Sequence, residues 1–262
     1  MSFELHLGDC AEIMRGMDAD SIDLTVTSPP YDNLRKYNGF TFDFETIAQE
    51  LYRVTKPGGV VVWVVGDAVI DGTETGTSFR QVLYFMDCGF NLHDTMIYEK
   101  NGTPYPSNTR YNQTFEFMFV LSKGSPSKFN PLKDRKNIHV GKQTASTYRQ
   151  ADGTLKTAIP NPISLYGARN NVWKIDAGNG KGGDSLSFLH PASFPESLAR
   201  DHILSWSNKG DLVLDPFLGS GTTGKMAINY QRNFVGIEIS QEYLSIAEKR
   251  IKNASMQEVM FT

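Results

Sequence analysis

Val60-Val61-Val62-Trp63-Val64-Val65 is an unbroken apolar run, almost entirely β-branched, with Gly58-Gly59 before it and Gly66-Asp67 after it. A run with no polar alternation leaves neither face for water, so it predicts a central parallel strand covered on both sides. Weaker elements of the same kind surround it. Phe3 to Leu7, Ile22 to Val26, Thr95 to Tyr98, Phe115 to Leu121, Leu212 to Leu214 and Phe234 to Ile239 read as strands. Between them, Cys10 to Met17, Phe44 to Leu51, Ser78 to Met86, Glu196 to Trp206, Thr222 to Ile228 and Gln241 to Ile251 read as helices. Lys56-Pro57-Gly58-Gly59 is expected to end the second helix. In the third, Val82, Leu83 and Phe85 are expected to face inward. In the fourth, Ala199, Ile203 and Trp206 fall at i, i+4 and i+7. Strands alternating with helices imply right-handed crossovers and an α/β fold with a mostly parallel sheet.

The alternation stops at Lys123. From there to about Ser187 the sequence is polar and broken by Gly and Pro, and a structureless loop that long is unusual inside a domain. We read three segments: an α/β part at 1–122, an inserted region at 123–188 and a second α/β part at 189–262. The chain of 262 residues carries a net charge of −3, unevenly spread. Lys123 to Lys181 holds eleven Lys and Arg against Asp134, Asp152 and Asp176, a net of +8, which leaves −11 for the remainder. A basic block in an otherwise acidic chain is the footprint of a phosphate-binding surface.

No apolar run approaches the roughly 18 residues that a membrane span needs, and the N-terminus lacks a basic stretch leading into an apolar core. Cys10 and Cys88 alone make no disulfide framework, so the expected setting is cytoplasmic. His93, His139 and His202 have no ligand-set spacing, so no metal is expected.

Two strand ends carry the chemistry. Asp215 closes one strand, and Gly219 and Gly221 allow a tight turn before a helix opens at Thr222. Ligands of open α/β sheets sit over such turns, where helix N–H groups face an anion. Glu238 ends the next strand, 17 residues after Gly221. An acidic side chain there suits the two hydroxyls of a ribose. The turn lacks the G-x-G-x-x-G spacing of a pyrophosphate cradle, which favours a nucleoside bearing an amino-acid tail over a dinucleotide.

Asp215-Pro216-Phe217-Leu218-Gly219-Ser220-Gly221-Thr222-Thr223 resembles the S-adenosylmethionine motif of DNA amino-methyltransferases. Gly236-Ile237-Glu238-Ile239 resembles that family's ribose-binding strand. His190-Pro191-Ala192-Ser193-Phe194-Pro195 resembles the segment beside the cofactor's methionine part, and Leu7-Gly8-Asp9-Cys10 the adenine-side motif. The resemblance spans nearly the whole chain outside the basic insertion. It implies a Rossmann-like S-adenosylmethionine-dependent methyltransferase fold, with Asp9, Cys10, Pro191, Asp215, Phe217, Gly219, Gly221, Thr222, Thr223 and Glu238 around the cofactor.

Thr27-Ser28-Pro29-Pro30-Tyr31 resembles the family's catalytic signature, and its residue types make chemical sense. The exocyclic amino nitrogen of cytosine or adenine is a poor nucleophile, because its lone pair is spread into the ring. A Ser28 hydroxyl and a backbone carbonyl can accept its two N–H bonds and localise that lone pair. Pro29 and Pro30 stiffen the corner, and Tyr31 can stack on a base flipped out of double-stranded DNA. In the family the serine form goes mostly with cytosine N4 and the aspartate form with adenine N6; adenine stays open as the alternative. A non-catalytic DNA-binding module on the same fold is the rival from another class.

The target motif precedes the cofactor motif, which resembles the circularly permuted β class. That likeness makes the basic insertion the target-recognition region. It also brings the restriction–modification context, with a homodimer and a cognate restriction endonuclease as open questions of partnership. Arg35 either meets phosphate or is solvated. Asp67 either orients substrate or is a satisfied carboxylate at the rim. Phe115 and Phe117 either wall the base pocket or belong to the core.

Overall fold

The computed structural model describes residues 1–30, 42–101, 108–143, 145–158, 162–176, 184, 186 and 194–259. Tyr31, Arg35, His190 and Pro191 lie outside the described residues. In chain order the strands are β1 (Phe3–Leu7), β2 (Ile22–Thr27), β3 (Thr55–Val65), β4 (Val69–Ile70), β5 (Thr73–Glu74), β6 (Asn91–Lys100) and β7 (Phe115–Ser122). They continue as β8 (Arg135–Lys136), β9 (Ser146–Arg149), β10 (Leu155–Ala158), β11 (Tyr166–Gly167), β12 (Val172–Ile175), β13 (Leu212–Asp215) and β14 (Asn233–Glu238). The helices are α1 (Cys10–Arg15), α2 (Phe44–Val54), α3 (Thr77–Asp87), α4 (Glu196–Trp206), α5 (Thr222–Asn229) and α6 (Gln241–Val259).

Eight strands form one sheet in the order β1-β14-β13-β2-β3-β7-β6-β12. Only β7 runs against its two neighbours; every other pairing in the sheet is parallel. The expected central run is β3, where alternate side chains serve opposite layers. Val61, Trp63 and Val65 pack with α1, α2 and α3, while Val60, Val62 and Val64 are buried on the other face. On that second face lie Leu198, Ile203, Met226, Ile228 and Ile251 of α4, α5 and α6.

Three expectations change. α2 does end just ahead of Lys56-Pro57-Gly58-Gly59, at Val54, but the segment itself is strand, β3 beginning at Thr55. Gly58 N–H donates to the Lys123 carbonyl at 2.6 Å and Lys123 N–H to the Gly59 carbonyl at 3.1 Å, which draws the segment into the ladder. Leu83 does not face inward: it is 59% exposed, while Val82 and Phe85 are buried. Third, Val172–Ile175, read as part of the insertion, is a strand of the main sheet beside β6, with Trp173 and Ile175 buried.

The chain divides into two compact units. One comprises Met1–Asn130 with Asn171–Thr262 and contains the eight-stranded sheet; the other is Pro131–Asn170. The second unit is narrower than the 123–188 segment and holds two small antiparallel ribbons, β8·β11 and β9·β10. Within the first unit, several cations of the basic block are already paired. Lys123 bonds Asp20 at 2.7 Å, Lys128 bonds Asp23 at 2.9 Å and Asp211 at 2.6 Å, and Lys174 bonds Glu99 at 3.0 Å. No described helix is long and apolar enough to cross a membrane.

Candidate active site at the sheet switch point

The topology marks a crevice before any motif is consulted. From β13 the chain crosses through α5 to β14 on one side; from β2 it crosses through α2 to β3 on the other. Adjacent parallel strands whose crossovers diverge leave an opening at their carboxyl ends, where ligands of such sheets bind. β13 and β2 are those neighbours, in register Val213↔Leu24 and Leu214↔Thr25. Their carboxyl ends are Asp215 and Thr27, so the segments beginning at Pro216 and Ser28 leave the sheet side by side.

A buried hydrogen bond ties these two exits together. Thr27 Oγ1 donates to Asp215 Oδ1 at 2.6 Å, and the Phe217 N–H donates to the same oxygen at 3.1 Å. Asp215 is 2% exposed, and burial pushes its carboxyl up to about 6 despite the bonds from Thr27, Thr223 and Phe217. These bonds brace the turn against β2. Thr223 does likewise from the start of α5, donating to the Val26 carbonyl at 3.1 Å. Pro29 is buried, and Ser28 and Pro30 are half-buried at the corner.

The turn itself is shaped by glycine. Gly219 and Gly221 adopt φ of +52° and +79°, where other residues are strained. A Cβ on Gly221 would also come within 2.8 Å of Ala247 Cβ on α6. Phe217 leaves the turn half-buried, its ring centroid 5.7 Å from that of Phe42 and 6.0 Å from that of Trp63.

Glu238 closes the other side. Oε2 accepts the Gly219 N–H at 2.8 Å and Oε1 the Ser240 N–H at 2.9 Å. Each oxygen keeps a further lone pair, and the residue is 9% exposed. Burial raises its pKa against the pull of those backbone donors. β1 lies alongside, with Leu7 opposite Glu238 and the Gly8 N–H bonding the Glu238 carbonyl at 3.0 Å. The exposed Asp9 caps α1 by accepting the Glu12 N–H at 3.0 Å. Burial pushes the buried Cys10 thiol up to about 12, Asp9 adding to it, so it is a neutral wall rather than a nucleophile.

An ion network behind the turn joins residues far apart in the sequence. Arg250 on α6 is 1% exposed. Its Nη1 donates to the Ser220 carbonyl at 2.6 Å, Ser220 Oγ at 3.1 Å and Thr222 Oγ1 at 3.2 Å. Its Nε faces Asp184 at 3.0 Å and Nη2 faces Glu196 at 2.9 Å. Lys225 bonds the same two carboxylates at 2.8 and 2.7 Å. Burial pushes the Asp184 carboxyl up, but Lys225 and Arg250 outweigh it and hold it below its usual range. One signal existed: Arg250 interrupts the buried stripe of Ala247, Ile251 and Ala254. Asp67, open in the sequence, is satisfied: it accepts the Ser78 N–H at 2.9 Å and Ser78 Oγ at 2.5 Å at the start of α3.

These donors and acceptors fit a nucleoside with a charged amino-acid tail. Glu238 has lone pairs able to accept from vicinal hydroxyls, Phe217 offers an apolar flat surface, and the α5 N-terminus has N–H groups able to face a carboxylate. The sheet order, the switch-point crevice and the glycine turn together define a Rossmann-like methyltransferase of the class-I type.

The comparisons agree. Residues 22–249 match the DNA methylase family of N6- and N4-amino methyltransferases. The orphan methyltransferase M.BamHII of Bacillus amyloliquefaciens is 55% identical over 252 residues, covering 95% of this chain and 91% of that protein. Among solved structures, the cytosine-N4-specific PvuII DNA methyltransferase superposes with a TM-score of 0.72 at 21% identity, covering 98% of this chain and 92% of the other. A putative DNA modification methylase of Thermus thermophilus, complexed with S-adenosyl-L-methionine, gives 0.65 at 22% identity, covering 97% and 96%. The chain belongs to the N4/N6 DNA methylase family, whose methyl donor is S-adenosylmethionine.

Proposed function

We propose that this chain methylates the N4 amino group of a cytosine flipped out of double-stranded DNA at a short specific sequence. The carrying observation is the 2.6 Å Thr27–Asp215 hydrogen bond, which binds the start of the Ser28-Pro29-Pro30 corner to the start of the glycine turn. S-adenosylmethionine supplies an electrophilic methyl carbon on a positively charged sulfur. Gly219, Gly221, Glu238, Phe217, Asp9 and Pro191 hold it; Asp215, Thr222 and Thr223 brace the turn, and Cys10 lines it. Ser28 Oγ and a carbonyl of the Ser28–Pro30 corner accept the two amino hydrogens and turn the nitrogen lone pair toward the methyl. Tyr31 stacks on the base. With the donor bound, the amino nitrogen would displace the sulfur at the methyl carbon, the sulfur leaving as a neutral thioether with the bonding pair, and the methylated nitrogen would release one proton to solvent. Proximity and electrostatic alignment provide most of the acceleration.

The serine at position 28 and the cytosine-N4 specificity named for the PvuII enzyme support cytosine over adenine. Every residue of this reading is on one chain, so it requires neither a second copy nor a nuclease. M.BamHII, at 55% identity, is itself named an orphan. A chain that modifies DNA works where bacterial DNA is, in the cytoplasm. The test is incorporation of labelled methyl into DNA, followed by digestion to nucleosides and chromatography with mass detection. N4-methylcytosine is expected; N6-methyladenine would refute the base assignment, and no methylated nucleoside would refute the activity.

A further inference from the structure

We infer that the β9·β10 ribbon enters the DNA major groove and that Arg149 and Gln150 at its tip read base edges. The inference rests on the DNA-methylation reading above and names the element that would select the sequence.

The ribbon is well formed but covers nothing. Its register pairs Arg149 with Leu155, Tyr148 with Lys156, Thr147 with Thr157 and Ser146 with Ala158. The tip is closed by Gln150 N–H to the Thr154 carbonyl at 2.8 Å and Gly153 N–H to the Gln150 carbonyl at 2.9 Å. Gly153 supplies the left-handed backbone at φ +85°. A ribbon seated on a core would hide every second side chain. Here every strand residue except Ala158 is exposed, including Tyr148 and, at 66%, Leu155. An isolated two-stranded ribbon is marginal in water, so both uncovered faces call for a partner surface.

Charge selects the partner. Pro131–Asn170 contains seven Lys and Arg and only Asp134 and Asp152. Asp134 is paired with Arg169. The Asp152 carboxylate accepts the Thr154 N–H at 2.9 Å and Thr154 Oγ1 at 2.7 Å, so it is turned into the loop. Among the described residues, neither Arg149 nor Lys156 forms an ion pair with a carboxylate; Arg149 Nη1 donates to the Gly153 carbonyl at 3.3 Å. The ribbon's two strands therefore meet a polyanion with Arg149 and Lys156 and no strand carboxylate, Asp152 lying in the tip loop bonded to Thr154.

Size selects the groove. Two strands about 5 Å apart, with side chains on both faces, suit a major groove about 12 Å wide and not a minor groove about 6 Å wide. Arg149 has the fork that matches guanine O6 and N7, and Gln150 the donor–acceptor pair that matches adenine N6 and N7. Thr147 and Thr157, with oxygens 3.4 Å apart on Arg149's face, add a methyl and hydroxyl surface. Lys156, on the opposite face with Tyr148, is placed for phosphate.

The experiment compares the full-length chain with Arg149→Ala and Gln150→Ala, and with Lys252→Ala on α6 as a matched charge removal. Each methylates a long DNA of mixed sequence, and modified positions are mapped by long-read sequencing. Thermal unfolding and S-adenosylmethionine affinity are measured alongside. We expect Arg149→Ala and Gln150→Ala each to relax one base position of the motif. The cognate-site rate should fall roughly 5- to 150-fold, with folding and cofactor affinity unchanged. Lys252→Ala should leave the motif intact. An unchanged motif, a uniform loss without relaxation, or a change in self-association with the motif intact would each overturn the ribbon's reading role. Absence of DNA methylation by the unsubstituted chain would instead overturn the parent reading.

Discussion

Arg250→Met tests whether the cofactor turn is held from behind. Methionine keeps much of the stem's volume and removes the guanidinium. Ser220 O, Ser220 Oγ and Thr222 Oγ1 then lose a buried donor; Asp184 and Glu196 keep Lys225, and Asp184 also keeps the Leu186 N–H at 3.1 Å. Breaking a buried ion pair from one side costs about 3–5 kcal/mol. Asp184 and Glu196 are partly solvated and retain Lys225, so the low end applies, about 3 kcal/mol. For a chain of this size that lowers Tm by roughly 6–12 °C. The turn should loosen with it, and S-adenosylmethionine affinity by calorimetry should fall about tenfold. Arg250→Lys restores the charge but not the fork, so it should recover stability more than cofactor affinity. A denaturant-derived loss for Arg250→Met below about 1 kcal/mol, or unchanged cofactor affinity, would refute the bracing argument.

Asp215 makes stability pH-dependent in an unusual sense. Its folded pKa, about 6, lies above the ordinary carboxyl value, so its contribution is complete below about pH 4 and is lost as pH rises through 6. Asp215→Asn should flatten that component of the stability–pH curve, worth about 3 kcal/mol at most; an unaltered slope in urea midpoints between pH 4 and 7 contradicts it. Glu238→Ala should weaken S-adenosylmethionine binding by roughly 1–3 kcal/mol, read by calorimetry, and it also frees the Gly219 N–H. Tyr31→Ala should reduce turnover far more than cofactor affinity, because its stack is with the base; equal losses in single-turnover rate and Kd would contradict that role.

What the sequence made legible follows from range. The strand endings at Asp215 and Glu238 are written in adjacent residues, where an apolar run meets glycine or a carboxylate. Thr27 was visible only as the first residue of the Thr27-Ser28-Pro29-Pro30-Tyr31 motif; its partner is 188 positions away, and the register that joins them is a property of the sheet. Lys56-Pro57-Gly58-Gly59 carries turn chemistry, yet the backbone near Lys123 captures it as strand. Leu83 fits an apolar stripe on α3, but of the three residues expected to face inward, Val82 and Phe85 meet the core and Leu83 does not. The Arg250 network draws on residues 184, 196, 220, 222, 225 and 250 and has no spacing to read.

The pairing of β1 with β14 has a consequence for biosynthesis. Phe3 is matched with Phe234 and Leu7 with Glu238, so β1 leaves the ribosome about 230 residues ahead of the strand it pairs with. At about 5–20 residues per second, that delay is roughly 10–50 s. Over that interval β1 is without its sheet neighbour and Glu238 does not yet exist. A nascent chain can therefore assemble the β2–β3–β7 region early, while the edge of the crevice at Glu238 forms only once β14 has emerged.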